Sequence, residues 1–184
     1  MIQSGFFTMP NLAYLSLGSN IKPQKNIRAA IQWLTQLSTI KAISNIWETT
    51  PVGFLEQPNF LNAAVLIETE QTAEMIKATV IQTIERALHR VRTDNPNAPR
   101  TIDLDIALFN NEILTLGKSQ IPDPGILLHA FVAVPLAEIA PDYIHPITGQ
   151  TLTEIASKFD LNKEGLVKLG PPGFALQPKK KRQT

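Results

Sequence analysis

The sequence predicts an α+β fold of the ferredoxin-like type: a βαββαβ antiparallel sheet with both helices on one face and a C-terminal elaboration. Three observations carry this reading. Apolar and polar residues alternate over Leu12–Leu17, Lys41–Thr49, Phe60–Glu70 and Pro99–Phe109, the period-two pattern of half-buried strands. Two other segments, Gln24–Leu37 and Thr72 to about Arg92, carry apolar residues at helical spacing. Taken in order, these segments give strand, helix, strand, strand, helix, strand, the split βαβ arrangement. Two helices on one face would leave the opposite face free for a ligand.

Each element has a local reason. The first strand ends at Gly18-Ser19-Asn20, which read alone is a turn into the helix that follows. Pro23 precedes that helix, and Ile27, Ala30, Ile31 and Leu34 form its apolar face. Pro51, Gly53 and Pro58 make Thr50–Asn59 a loop between the second and third strands. Thr72 is the expected N-cap of the second helix, with Ala73-Glu74 in its first turn. The polar stretch Thr93–Pro99 then leads to the fourth strand. Beyond it the sequence predicts a short strand (Glu112–Leu116), a loop with Pro122 and Pro124, and a helix over Ala130–Ile139. A turn-rich segment (Pro141–Gly149) and a short helix (Leu152–Phe159) complete the elaboration. There is no internal repeat beyond a weak duplication of the βαβ halves.

The chain has 184 residues, and the expectation is one domain over 11–160, an N-terminal extension over 1–10 and a disordered basic tail over 170–184. Met9 is an alternative start to Met1. No second enzyme domain fits in this length. The net charge of +1 conceals an asymmetry: without Lys179, Lys180, Lys181 and Arg182, 13 basic residues face 16 acidic ones. The body therefore lacks the basic field of a nucleic-acid binder. No apolar run reaches the ~20 residues that span a bilayer, and the first ten residues lack a signal-peptide pattern. There are no cysteines, which excludes disulfides and thiolate metal sites. A cytoplasmic monomer without nucleic-acid or membrane partners is expected.

The most informative segment is Pro99-Arg100-Thr101-Ile102-Asp103-Leu104-Asp105-Ile106. On a strand, Ile102, Leu104 and Ile106 point one way, and Thr101, Asp103 and Asp105 the other. Carboxylates at i and i+2 lie about 6.5–7 Å apart and repel by roughly 2–3 kcal/mol at an effective dielectric near 20. A bridging cation relieves that repulsion, and oxygen ligands of this kind suit Mg²⁺, with phosphates completing its shell. Arg86, Arg90, Arg92 and Arg100 cluster around the end of the second helix and the loop after it. Read alone, they are equally a solvated helix end or an anion clamp. Neither a G-x-x-x-x-G-K-[ST] nor a G-x-G-x-x-G pattern occurs.

Arg-Thr-Ile-Asp-Leu-Asp-Ile, together with Tyr-Leu-Ser-Leu-Gly-Ser-Asn, Glu-Thr-Thr-Pro-Val-Gly, Gln-Pro-Asn-Phe-Leu-Asn-Ala and Pro-Leu-Ala-Glu-Ile-Ala-Pro, resembles the 6-hydroxymethyl-7,8-dihydropterin pyrophosphokinase family of folate biosynthesis. The match runs from about Ala13 to Leu152. The resemblance implies transfer of pyrophosphate from ATP to the pterin hydroxymethyl group, giving AMP, with ATP and the hydroxymethyldihydropterin as the small-molecule substrates. It assigns two Mg²⁺ ions to Asp103 and Asp105, and phosphate clamping to Arg90 and Arg100. It places the pterin on Thr49, Thr50, Val52, Phe60, Asn62 and Phe131. Gln82, Glu85, Arg92, Ile106 and Lys118 fall where the family contacts nucleotide. The residue types fit: aromatic faces suit a flat heterocycle, and Asn62 offers donor and acceptor together. Asn is also disfavoured inside a strand.

The pattern breaks after the short strand. Asp123 stands where the family carries His, Pro124 where it carries an aromatic residue or Pro, and His129 where it carries an ATP-binding Arg. Asn97 replaces the family's loop tryptophan. His129 is the expected substitute donor to ATP. Two alternatives accompany the main reading: a kinase for a related pterin, and a non-catalytic pterin- or nucleotide-binding module of the same fold.

Overall fold

The computed structural model describes residues 9–53, 56–95 and 97–173. The remaining residues, including most of the expected basic tail and N-terminal extension, lie outside the described ones. The framework matches the expected order. Strand β1 (Asn11–Ser19) is followed by helix α1 (Pro23–Leu37), strands β2 (Thr39–Ile43) and β3 (Ile46–Thr49), and strand β4 (Phe60–Thr69). A second helical region comprises α2 (Ala73–Met75), a π-helical stretch (Ile76–Ile81) and α3 (Gln82–Ala87), and leads to β5 (Asp103–Phe109). The sheet order is β5-β1-β4-β3, with β2 also pairing β4, and every pairing is antiparallel. The period-two pattern sends Leu15, Leu17, Val65, Ile67 and Leu104 to the face where Ile31, Leu34 and Ile84 meet them. Fully burying each such side chain contributes about 1.5–3 kcal/mol.

Several boundaries differ from the sequence reading. The expected second strand is two, because Asn45 turns away from the sheet to meet Glu138. Both its backbone N–H (2.8 Å) and its Nδ2 (2.9 Å) donate to that carboxylate. The second helix stops at Ala87 rather than near Arg92, since His89 takes a left-handed conformation (φ 56°). Arg90, expected on one helical face with Arg86, therefore sits on the loop, which Arg92 flanks as expected. The short strand is a hairpin, β6 (Leu114–Leu116) and β7 (Ser119–Ile121), turning at Gly117 with φ 66°. A short helix α4 (Gly125–Leu128) precedes α5 (Ala130–Ile139), and α6 (Leu152–Ala156) is three residues shorter than expected. Finally, β8 (Val167–Gly170) adds to β3 at the sheet edge, in a region read as lying past the domain and turning to tail at Gly170.

The second face of the sheet is only partly free. Helices α5 and α6 cover it with Val132, Ala133, Leu136, Leu152 and Ile155, packed on Tyr14, Ala64 and Leu108. What stays open is the end of that face carrying Ser16, Gly18, Asn62, Asp103 and Asp105. No described helix is long and apolar enough to cross a membrane.

Candidate active site

Strand register assembles the open end. Gly18 of β1 pairs with Asn62 of β4 on one side and with Asp103 of β5 on the other. One step along, Ser16 pairs with Ala64 and Asp105. Small residues on the middle strand thus leave a trough between the amide and the two carboxylates. At Gly18 an added Cβ would lie 3.5 Å from the Asn62 Oδ1, inside that trough.

One wall of the cleft is polar and buried. Asn62 (5% exposed) donates through Nδ2 to the Thr49 Oγ1 (4% exposed) at 2.9 Å. That bond leaves the Asn62 carbonyl, its second N–H and the Thr49 hydroxyl hydrogen to face a ligand. Phe60 and Phe131 line the same cleft, together with Val52, Thr50 and His129. His129 stacks on Phe131 with centroids 4.9 Å apart and planes 12° from parallel. Across the mouth, Gln57 accepts from the Asn20 Nδ2 (2.8 Å) and donates to the Asn97 carbonyl (3.0 Å). Asn97 in turn lies over Gly53, whose φ of +82° suits only glycine and where a Cβ would meet the Asn97 Nδ2 at 2.6 Å. Gly53→Ala is expected to cost about 1 kcal/mol and to loosen this loop pair, read as a higher KM for the ligand of the cleft.

The carboxylates have unequal surroundings. Asp103 is ion-paired with Arg100 Nη1 and lies 3.7 Å from the Arg90 Nε. The Arg100 guanidinium also sits over the Phe60 ring, 5.6 Å from its centroid. Among the described residues Asp105 has no such partner. Its pKa is pushed up to about 7, first by burial and then by the carboxylates of Asp103, Asp123 and Glu85, with Arg92 pulling the other way. Among the described residues the buried Arg90 Nε has no hydrogen-bond partner, while its Nη1 donates to the Val91 carbonyl. A carboxylate short of positive charge near a guanidinium N–H without a hydrogen bond fits a cation and an anion arriving together. The donor set is all oxygen, as Mg²⁺ requires. Among the described residues no group of three or more His, Cys, Asp or Glu is placed to hold a metal ion, so its remaining ligands would be phosphate oxygens and water.

Asp105 also borders two further clefts. One is mixed: Ile81, Ile106, Leu116 and Ile121 give it an apolar side, and Lys77, Ser119, Gln120 and Asp123 a polar one. The other carries the cations Arg86, Arg90, Arg92 and Lys118, and adjoins the first along Lys77, Ile81 and Ser119. The half-apolar slot is continuous with the cationic channel, and it meets the Asn62 cleft at Asp105 and Asp123.

A family model described as 7,8-dihydro-6-hydroxymethylpterin-pyrophosphokinase (HPPK) matches residues 14–141. The chain belongs to the HPPK family. It is 36% identical over 162 residues to the 2-amino-4-hydroxy-6-hydroxymethyldihydropteridine pyrophosphokinase of Haemophilus influenzae, covering 86% of this chain and 98% of that one. To the enzyme of the same name in Bacillus subtilis it is 42% identical over 135 residues, covering 71% and 79%. The HPPK-DHPS of Plasmodium falciparum shares the fold, with a TM-score of 0.67 at 15% identity over 88% of this chain and 45% of that one. The chain thus spans less than half of that longer protein.

The residues expected from HPPK resemblance mostly converge. Thr49, Thr50, Val52, Phe60, Asn62 and Phe131 line one cleft with Asp103, Asp105 and Arg100. Gln82, Glu85, Arg90 and Arg92 line the cationic cleft; Ile106 lines the half-apolar one, and Lys118 borders both. Glu85 is engaged by Arg92 at 2.9 Å, so it orients a cation. His129, expected to reach ATP, stands in the Asn62 cleft against Phe131 instead. Asp123 fills the HPPK His position structurally: its Oδ1 accepts the Gly125 N–H at 2.7 Å and holds the start of α4. Sequence reasoning did not single out Lys77, which borders both the slot and the cationic channel.

Proposed function

We propose that this protein transfers the β,γ-pyrophosphoryl group of ATP to the hydroxymethyl oxygen of 6-hydroxymethyl-7,8-dihydropterin. The observation that carries the reading is the position of Asp105, where a polar and aromatic cleft meets a half-apolar slot with a cationic channel. The hydroxymethyl oxygen forms a bond to the β-phosphorus, the bond from that phosphorus to the α–β bridging oxygen breaks, and AMP leaves. The hydroxyl proton is released to solvent. Asn62 and Thr49 read the amide edge of the pterin, and Phe60 and Phe131 hold its faces. Arg90 and Arg100 hold the transferring phosphates, and Arg92, oriented by Glu85, faces the channel. Asp103 and Asp105 would hold two Mg²⁺ ions, which when bound neutralise charge on the triphosphate. A loose transition state of this kind is served by positioning and charge neutralisation. Residues 11–160 and β8 are taken as one domain, acting as a cytoplasmic monomer.

Arg100 holds Asp103 through Nη1 and lies over Phe60. A metal-bound triphosphate competes for the same guanidinium, and drawing it off Phe60 exposes an aromatic face to the pterin. Saturating α,β-methylene-ATP with Mg²⁺ is expected to tighten pterin binding by about tenfold, a typical coupling between sites. Titration calorimetry with and without the analogue measures it, and equal affinities contradict the exchange. The function itself is tested by mixing the protein with Mg²⁺, ATP and the dihydropterin. AMP must appear, and only when the pterin is present; ADP, or pterin binding without turnover, overturns the reading.

A further inference from the structure

The β6–β7 hairpin, which forms the outer wall of the half-apolar slot, is strapped to the second helical region by Lys77. The Lys77 Nζ donates to the Leu116 carbonyl at 3.1 Å and to the Ser119 Oγ at 2.8 Å. Those two acceptors flank the Gly117–Lys118 turn, so one ammonium grips both strands of the hairpin at its tip. The backbone around Lys77 is π-helical: the N–H of Gln82 reaches the Lys77 carbonyl, five residues back. Such a widened turn is costly in an ordinary helix and recurs at functional sites. Lys77 and Ile81 line both clefts, and Gln82 the cationic channel, so Lys77 stands at the boundary of the slot and the channel. An ammonium has three N–H donors. The hairpin uses two, which leaves a third N–H on a side chain that borders both clefts.

We propose that Lys77 is a positioning residue for the nucleotide: it fixes the width of the slot by strapping the hairpin, and its third N–H bonds the bound ATP at the base-to-phosphate junction. Naming ATP rests on the pyrophosphokinase reading, but the test reads affinity and needs no turnover. The probe is α,β-methylene-ATP with Mg²⁺, titrated calorimetrically into the wild type, Lys77→Met, Lys77→Arg, Ser119→Ala and the Lys77→Met/Ser119→Ala double variant. Thermal unfolding and pterin binding are measured on each.

Lys77→Met is expected to weaken analogue binding by about tenfold or more, the size of a charged hydrogen bond, and Ser119→Ala by about threefold. In the Lys77→Met background, Ser119→Ala adds nothing, because the bond is already gone. Lys77→Arg recovers part of the loss. Pterin affinity stays within about twofold throughout, a split between substrates that general loosening does not give. Unchanged analogue affinity in Lys77→Met, additive effects in the double variant, or parallel loss of both ligands overturns the proposal. If Lys77→Met is too unstable to titrate, the selective effect of Ser119→Ala alone decides. Wild type that binds the analogue yet forms no AMP sinks the functional reading and leaves the strap standing. Wild type that binds no nucleotide overturns both.

Discussion

Asp105→Asn lowers turnover by about a hundred- to a thousandfold and at the same time makes the protein more stable at pH 8. Asp105 would hold the Mg²⁺ that neutralises the transferring phosphoryl group, loss of one such stabilising element costs about 10²–10³ in rate, and Asp105 borders all three clefts. The stability effect follows from its pKa, raised from 3.8 to about 7, first by burial and then by Asp103, Asp123 and Glu85. A carboxyl whose folded value lies above its unfolded value opposes folding when charged. The penalty is absent below pH 3.8, grows as pH rises to about 7, and is complete above it. The carboxylate is open to water, which screens much of the shift and leaves about 1 kcal/mol. Asp105→Asn should therefore raise Tm at pH 8 by about 2–4 °C and leave it unchanged near pH 4. Asp103→Asn provides the contrast. It leaves Arg100 and Arg90 beside a lost partner and should lower Tm, by about 1–3 kcal/mol of stability. Scanning calorimetry of both variants at the two pH values separates a strained functional carboxylate from a paired one. A destabilised Asp105→Asn at pH 8 contradicts this account.

Asn62→Ala should raise the pterin KM by about a hundredfold or more while leaving the ATP KM within twofold. A site built to hydrogen-bond a polar edge loses far more than one contact when a partner is deleted, because the opposing groups stay unpaired. The Thr49 Oγ1 also loses its donor, so Asn62→Asp, which keeps the volume but offers no N–H, should be comparably poor. Steady-state kinetics with each substrate varied gives the split directly. Equal rises in both KM values would place Asn62 in the scaffold rather than on the pterin.

The parts of the fold that local chemistry dictates were readable in advance. Alternation marked β1, β4 and β5, and it put Asp103 and Asp105 on the face away from Leu104. The Asn in the third strand also marked itself, by sitting where Asn is disfavoured. What escaped was set by distant residues or by backbone choices with weak signals. The break between β2 and β3 follows from Glu138, 93 residues from Asn45. The end of α3 depends on a left-handed His89, a residue that seldom signals a stop. The hairpin turn did carry a signal, Gly117, that a closer reading would have used. Lys77 could not be singled out, since a lysine on a polar helix face looks like any other until the π-helical turn brings it to the hairpin. At position 129 the residue type gave no hint of its packing: His129, at the arginine position, stacks on Phe131 in the cleft that also holds Asp103 and Asp105.

The most direct test of the central claim follows the phosphorus atoms. With Mg²⁺ and the dihydropterin, ATP labelled separately at the β- and γ-phosphates should deliver both labels to the pterin product, one of each per AMP released. Transfer of the γ-label alone, with ADP left behind, would contradict a site in which Asp103 and Asp105 bring the β-phosphorus to the hydroxymethyl oxygen.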